Sequence, residues 1–257
     1  MNGFLRYRAA GGVVRLTLDR PERRNALSPP LLDALQSALD EAGADPRTRV
    51  LCLGATGPAF CAGIDLKEVD LSRPAEAREL AGRLSGVYRT LLAFPVPVLS
   101  SVGGAAAGGG VGLAAAADIA WAGPEASFQL PEARIGLVPA LVSIVLRRRL
   151  APKRVSAMAL GGVVLGPADA LAAGLVDILA GDASDAAMVQ FAGDLARDRS
   201  AGALRRTKAF LDRPLAVELD AELAAARAEF RAAAATEDGR RGLAAFRKKE
   251  RVRWNER

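Results

Sequence analysis

The glycine-rich segment Gly103–Gly112 limits the possible folds of this chain more than any other part of the sequence. It lies inside a longer stretch, Thr90–Ala117, that contains no Asp, Glu, Lys or Arg. An uncharged stretch of this length resembles a membrane-spanning helix. However, Pro95, Pro97 and the glycines would leave backbone groups unsatisfied in lipid. The segment is therefore predicted to form a buried strand, a glycine turn and a buried helix, outside a membrane.

Strands and helices alternate through the first half of the chain, which predicts an α/β fold with parallel strand pairing. A helix is predicted to begin after Ser28, at Pro29 or Pro30, because proline is favoured at the first helical position. Its apolar residues recur at helical spacing from Leu31 to Leu39. The predicted strands are Val13–Leu18, Val50–Leu53, Val96–Val102 and Ile119–Ala122, and further helices are predicted at about Pro74–Leu92 and at Ala114–Ala117.

The second half of the chain has a different composition. Gly166, Pro167 and Gly174 separate short helices, and from about Asp182 the sequence is rich in Ala, Arg and Glu with a helical pattern. We divide the chain into a core of residues 1–195 and a C-terminal helical region of residues 196–257. The helical region is predicted to pack on the core or on a neighbouring subunit.

Composition excludes several classes of site. The chain contains no histidine, so Ser-His, Cys-His and His-metal chemistry are excluded. Cys52 and Cys61 follow no metal or redox spacing, and no apolar signal segment begins the chain; both indicate a cytoplasmic, reducing location. The net charge of +6 fits an anionic ligand, but no basic run is interleaved with aromatic residues, so nucleic acid binding is not favoured.

Two loops and one glutamate are the strongest candidates for a reaction site. The loops are Phe60–Leu66 and Gly103–Gly112. Each is predicted to leave a strand and open a helix, which frees backbone N–H groups that can hold an oxyanion. Glu132 stands among apolar residues, so its pKa is expected to be raised into the range of proton transfer. Alternatively, Glu132 is a surface residue paired with Arg134, and the glycines only relieve crowding at a turn.

The glycine run does not match the common phosphate-binding motifs. It lacks the G-x-G-x-x-G spacing of dinucleotide-binding proteins and the Gly-Lys-Ser/Thr of phosphate loops. Among other polar residues, Asp65 is predicted to cap the helix after the first loop, and Asp118 to be structural. Cys61 is assigned to packing, and Ser143 is a weaker candidate for the pocket.

Taken in order, four segments resemble the crotonase superfamily, also called the enoyl-CoA hydratase/isomerase family. They are Val14–Leu27, Phe60–Leu66, Pro95–Trp121 and Ser127–Val138, and the resemblance extends from about Gly12 to Ile178. It implies a spiral of strand–strand–helix units with a C-terminal helical trimerisation region. It also implies an acyl-CoA thioester substrate, a homotrimer or homohexamer, no metal, and no cofactor other than the coenzyme A of the substrate.

The resemblance also assigns site residues. The thioester oxygen is expected between the N–H groups of Ala62 and Gly109, with Glu132 as the acid/base. The segment Ala245–Lys249 resembles one that reaches the coenzyme A of a neighbouring subunit. The residues expected to contact coenzyme A are Arg23, Arg24, Ala26, Ala62, Asp65, Leu66, Phe246 and Lys249.

One position departs from the two-glutamate hydratases of the family. Their second glutamate would stand at the position of Gly112. In this respect the chain is nearer to glutaconyl-CoA hydratase-like members with one glutamate. A glutamate introduced at Gly112 is expected to raise hydration of a short enoyl-CoA, or else to block the acyl pocket.

The predicted function is an enoyl-CoA hydratase-type lyase that works through an oxyanion-stabilised enolate. An enoyl-CoA delta isomerase and a decarboxylase of glutaconyl thioesters remain open, since one carboxylate suffices for either. The alternative outside enzymology is an acyl-CoA- or RNA-binding protein on the same fold. The acyl chain is not determined by the sequence.

Overall fold

A computed structural model describes residues 3–181, 184–211, 213–250 and 252 of the protein. Two short 3-10 helices, Pro21–Arg23 and Glu132–Ile135, accompany the regular elements. The strands are β1 (Leu5–Ala10), β2 (Val13–Leu18), β3 (Val50–Ala55), β4 (Ala59–Cys61), β5 (Val98–Val102), β6 (Ala105–Ala107), β7 (Ile119–Ala122), β8 (Ser127–Gln129) and β9 (Ile178–Leu179). The α-helices are α1 (Pro29–Ala44), α2 (Pro74–Leu92), α3 (Gly109–Ala115), α4 (Ala140–Leu146), α5 (Pro152–Ala159), α6 (Pro167–Ala173), α7 (Ser184–Asp198), α8 (Ala201–Leu211), α9 (Arg213–Ala235) and α10 (Glu237–Lys248).

Successive strands alternate between two sheets. The larger sheet has the order β1-β2-β3-β5-β7-β9 and the smaller one the order β4-β6-β8. Only the β1–β2 pair is antiparallel among the described strands; the other pairs in both sheets are parallel. From β3 onward the chain therefore advances as a spiral, as the resemblance implied, and contributes one strand to each sheet in turn.

The uncharged stretch is divided among several elements. It contains β5, β6 and α3, and α3 begins at Gly109. The helix predicted over Ala114–Ala117 is present, but its bounds were wrong: it ends at Ala115, and Gly109, Gly110 and Gly112, which were assigned to a turn, belong to it. None of the described helices is both long and apolar enough to cross a membrane.

The two faces of the larger sheet bury different partners because side chains alternate along a strand. On β3, Leu51 and Leu53 face the main core, whereas Cys52 packs with Trp121 and with Met188 of α7. Burial raises the pKa of Cys52 to about 12. The predicted apolar face of α1 is fully buried in the main core, where it consists of Leu31, Leu32, Leu35, Ala38 and Leu39.

The C-terminal helices fold back on their own chain. Helix α9 packs on α2 and α4, and α10 packs on the 3-10 helix Glu132–Ile135. The proposed boundary between residues 195 and 196 falls inside α7. This helix packs on strands of the larger sheet. Of the predicted helical region, Asp182, Ala183, Asp212, Arg251 and residues 253–257 lie outside the described residues.

The smaller sheet brings the predicted site together. Its strands β4, β6 and β8 are parallel neighbours, so their carboxyl ends meet at one edge of the sheet. The first loop leaves β4, α3 begins two residues after β6, and Glu132 follows β8. Three segments that are distant in the sequence are thereby placed side by side.

Candidate active site

The two loops approach each other so closely that only glycine fits at the contact. Gly63 has a φ of +83°, and a Cβ built on it would lie 2.8 Å from the Ala107 carbonyl oxygen and 3.6 Å from the Gly109 nitrogen. The first loop does not open a helix as predicted; turns follow it, and the next helix begins at Pro74. The backbone of residues 63–64 therefore lies against the start of α3.

Glu132 presents a carboxylate to the same place. A Cβ built on Gly108 would lie 2.7 Å from Glu132 Oε1, so the carboxylate abuts the backbone that leads into α3. Its Oε2 atom is buried and has no hydrogen-bond partner. Burial raises the pKa of Glu132 from 4.5 to about 7, although a hydrogen bond from its own backbone N–H opposes the shift. The alternative of a surface glutamate paired with Arg134 is not what the structure shows.

One of the two predicted oxyanion donors has to be corrected. The Ala62 N–H donates to the Arg24 carbonyl at 3.0 Å, so the prediction of Ala62 was wrong because this amide already has its acceptor. The Ile64 N–H donates to no group among the described residues. Gly109 is the first residue of α3, so its N–H has no acceptor within the helix.

A small cavity joins these groups. It has a volume of about 20 Å³, and Ile64, Gly109 and Glu132 line it together with Tyr88 and Phe230. A larger cavity of about 670 Å³ is lined by other residues of the 3-10 helix, among them Arg134, together with Leu160 and Phe246. Because the larger cavity contains neither Glu132 nor Gly109, we place the reaction at the small one.

Known proteins are similar to this chain in sequence and in fold. A family model described as enoyl-CoA hydratase/isomerase matches residues 8–257. This chain belongs to the enoyl-CoA hydratase/isomerase family. It is 36% identical over 243 residues to the 2,3-dehydroadipyl-CoA hydratase of Escherichia coli K12, covering 92% of each protein. It is 31% identical over 259 residues to the cyclohexa-1,5-dienecarbonyl-CoA hydratase of Thauera aromatica, covering 96% of this chain and 94% of that protein.

Solved structures agree with the sequence relatives. The crystal structure of an enoyl-CoA hydratase from Mycobacterium avium superposes with a TM-score of 0.88 at 34% identity, covering 99% of this chain and 100% of that one. The spiral of strand–strand–helix units predicted from the resemblance is thus confirmed as the crotonase fold. Family membership also makes the protein an enzyme.

The residues predicted to contact coenzyme A fall into two groups. The first group lies in the turn 23–26 and in the first loop. Arg24 and Ala62 are exposed there, Arg23 and Leu66 are half-buried, and Ala26 is buried. Asp65 differs, because its side chain is only 5% exposed and lies 3.1 Å from Arg20 in an ion pair. Its carboxylate accepts the Lys67 N–H at 3.1 Å, which makes it a turn residue and not the helix cap that was predicted.

Phe246 and Lys249 form the second group, at the end of α10. Both are exposed, and neither lines the cavity of Glu132. Arg247 of the same helix pairs with Asp70 of its own chain at 2.5 Å, and this hydrogen bond lowers the pKa of Asp70 to about 2. Contact of Phe246 and Lys249 with the coenzyme A of a neighbouring subunit stays a prediction.

Sequence reasoning missed three side chains that build the site. Asn25 is fully buried and its amide donates to the carbonyls of Thr56 and Ala59, which fixes the turn 23–26 against β4. Arg20 is buried beside Asp65 and Glu68, on the inner side of the first loop. Tyr88 was overlooked although its spacing from Leu84 and Leu91 marks the buried stripe of α2.

Of the remaining predictions about single residues, those for Cys61 and Asp118 were correct, whereas Ser143 was not confirmed as a pocket residue. Cys61 is fully buried among apolar side chains, and burial raises the pKa of its thiol to about 12. Asp118 is structural, since it accepts the Val98 N–H at 2.7 Å and pairs with Lys208 at 2.5 Å. Ser143 is not among the residues that line the cavity of Glu132.

Proposed function

We propose that this enzyme adds water to the double bond of an enoyl-CoA thioester, with Glu132 as the acid/base. The observation that carries the proposal is the buried, unbonded Oε2 atom of Glu132. Glu132, Ile64 and Gly109 line one cavity, and we assign the backbone N–H groups of Ile64 and Gly109 as the two oxyanion donors. A carboxylate with a pKa of about 7 is divided between its two protonation states near neutral pH, as a group that both takes and returns a proton requires.

The reaction follows from these positions. The ionised Glu132 takes one proton from water while the water oxygen bonds to Cβ of the enoyl group. The electron pair of the double bond moves toward the thioester carbonyl, and the resulting enolate oxygen is held by the Ile64 and Gly109 N–H groups. When the enolate collapses, Cα takes the proton back from Glu132, so that one water has been added in total.

Two related reactions use the same groups. Glu132 is the sole carboxylate that lines the cavity in the described part of the chain. One carboxylate can carry a proton between two carbons of an enoyl-CoA, which is isomerisation. Loss of carbon dioxide from a glutaconyl thioester would also give an enolate that the two amides can hold.

The test is a panel of coenzyme A thioesters with products identified by mass spectrometry. The panel contains short 2-enoyl, 3-enoyl and glutaconyl thioesters, and the two substrates after which the E. coli and Thauera relatives are named. A product heavier by one water supports hydration, whereas an unchanged mass with a shifted double bond or a loss of carbon dioxide would replace it with one of the related reactions. No turnover of any member would contradict the proposed hydration of these thioesters.

Glu132→Gln should reduce kcat by about a hundredfold to ten-thousandfold, because the amide cannot exchange a proton. The matched control is Glu125→Gln, which changes an exposed glutamate that precedes β8. The control should keep wild-type kcat. A Glu132→Gln enzyme with wild-type kcat would contradict the assignment of the acid/base.

We further propose that coenzyme A lies along Arg23, Arg24, Ala26 and Leu66, and that the reaction needs no cofactor beyond the coenzyme A of the substrate. The exposed Arg24 and the half-buried Arg23 offer positive charge to the phosphates of coenzyme A.

A homotrimer or homohexamer and a cytoplasmic location remain part of the proposal. The two cysteines are unpaired and buried, which is compatible with a reducing compartment.

A further inference from the structure

Tyr88 supplies the second polar side chain of the reaction cavity. Among the described residues that line this cavity, only Tyr88 and Glu132 carry side-chain oxygen or nitrogen atoms. Tyr88 is fully buried on α2. Its hydroxyl donates to the Gly109 carbonyl at 2.8 Å. Because that bond uses the single hydrogen of the phenol, the oxygen can act only as an acceptor toward any further partner.

The ring of Tyr88 fills the space beside Gly112. A Cβ built on Gly112 would lie 2.2 Å from Tyr88 Oη and 2.4 Å from Cζ, so no side chain fits at position 112 while Tyr88 keeps its place. Of the two outcomes expected for a glutamate at Gly112, the structure favours a steric conflict, and the group it meets is Tyr88. The position at which a second acid would begin is occupied by the hydroxyl of Tyr88, which comes from a different helix.

A single water fits in the cavity that the two polar residues line. The cavity volume of about 20 Å³ is sufficient for one water molecule. Such a water needs hydrogen-bond partners for both of its hydrogens, and the structure offers two acceptors, Glu132 Oε2 and Tyr88 Oη. Burial raises the pKa of Tyr88 well above its ordinary value of 10, so the phenol stays neutral and does not compete with Glu132 for the proton.

We propose that Tyr88 is a second catalytic residue, whose hydroxyl oxygen accepts a hydrogen bond from the water that Glu132 deprotonates. This rests on the proposed hydratase function. In the step, the water oxygen bonds to Cβ and one water hydrogen passes to Glu132. The other hydrogen stays on the oxygen as the product hydroxyl and is bonded to Tyr88 meanwhile. Tyr88 thus aims a lone pair of the water at Cβ without itself gaining or losing a proton.

The deciding variant is Tyr88→Phe, measured in two reactions. Hydration uses the enoyl-CoA of the panel that the wild type hydrates fastest. Exchange uses the saturated counterpart of the same thioester in deuterated water, and its Cα deuterium content is followed by mass spectrometry. Exchange needs Glu132 and the oxyanion donors, but no water is added to the substrate. A loss of hydration without a loss of exchange therefore isolates the proposed role of Tyr88.

We expect Tyr88→Phe to lower kcat for hydration about tenfold to a hundredfold, the effect of losing one hydrogen bond to a reacting group, and to leave exchange close to the wild-type rate. A matched control is Tyr7→Phe, which changes a half-buried tyrosine on β1 and should alter neither rate. Equal losses of both rates in Tyr88→Phe would mean that Tyr88 only supports the backbone at Gly109, and an unchanged hydration rate would also overturn the proposal.

Glu132→Gln separates failure of this inference from failure of the proposed function. If Glu132→Gln keeps both rates, or if the wild type hydrates no thioester, the hydratase assignment itself fails and the role of Tyr88 with it. If Glu132→Gln loses both rates while Tyr88→Phe loses neither, only the role of Tyr88 fails.

A second comparison tests whether the Tyr88 ring occupies the space that a side chain at position 112 would need. Gly112→Glu alone should unfold at a lower temperature than the wild type, because its Cβ meets the Tyr88 ring. Combining it with Tyr88→Ala should restore folding and hydrate faster than Tyr88→Ala alone, since the new carboxylate supplies the missing acceptor. A combined variant that folds no better than Gly112→Glu, or hydrates no faster than Tyr88→Ala, would contradict the inference.

Discussion

At the scale of single residues, the environment of Glu132 sets its charge. The Oε2 atom is buried without a partner, so the ionised form loses its hydration and gains little in return. This disfavours the carboxylate and raises the pKa of Glu132 to about 7. The Glu132 carboxylate, which is suited to proton transfer, therefore also destabilises the folded state when it is ionised.

The folded protein binds a proton at Glu132 more tightly than the unfolded chain, since the pKa is about 7 instead of 4.5. The resulting stability is fully present below the unfolded pKa and is lost as the pH rises through the folded pKa. Glu132→Gln cannot titrate, so between about pH 4 and about pH 8 its free energy of unfolding should fall by about 3 kcal/mol less than that of the wild type. Urea unfolding at several pH values measures this, and parallel pH profiles for the two proteins would contradict it.

At the scale of elements, a buried cation holds the first loop in place. Arg20 follows β2 and is 5% exposed, beside the equally buried Asp65 and the partly exposed Glu68. Its guanidinium also lies over the Phe4 ring, 5.3 Å from the centroid. Since Ile64 precedes Asp65 in the loop, the ion pair anchors the segment whose amide we assign to the oxyanion.

Arg20→Met should leave Asp65 buried without a counter-charge and lower the free energy of unfolding by about 3–5 kcal/mol. The matched control is Arg6→Met, because Arg6 pairs with Asp19 from a side chain that is 67% exposed, and such surface pairs contribute at most about 1 kcal/mol. Chemical denaturation of both variants gives the comparison. Similar losses in the two would show that burial of the Arg20 pair is not what matters.

At the scale of the whole molecule, the C-terminal helices cover their own core. Leu219, Leu223 and Phe230 of α9 are buried, and Phe230 reaches the reaction cavity. These apolar side chains of α9 are thus buried within one chain. Side chains that remain available for another subunit lie on other elements and include Leu160, which is 85% exposed, with Val164, Leu171, Phe210 and Leu211.

We expect sedimentation to give a trimer or a hexamer, because apolar side chains left this exposed favour association and because the family resemblance implies it. The measurement is sedimentation equilibrium over a range of protein concentrations. Leu160→Glu should weaken the assembly, while Glu125→Gln, at an exposed polar position, should leave it intact. A stable monomer at micromolar concentration would contradict this prediction.

The sequence by itself determined the repeating elements and the acid/base candidate. Runs of apolar residues and prolines at helix starts predicted β2, β7 and α2 with their observed bounds and the start of α1, because these signals are local to each element. Glu132 could be predicted because its neighbours in the sequence are themselves apolar. The order of the motifs led to the family.

Only the tertiary structure decided which groups are free to act. Whether a loop amide is available depends on the carbonyl that packs against it. The Arg24 carbonyl accepts the hydrogen bond of the Ala62 N–H, while the Ile64 N–H has no acceptor among the described residues. Tyr88 reaches the cavity because α2 packs against α3 at Gly112, which no local pattern in either helix reveals. Local periodicity specifies elements, but the hydrogen bonds and empty volumes of a site arise between residues that only the fold brings together.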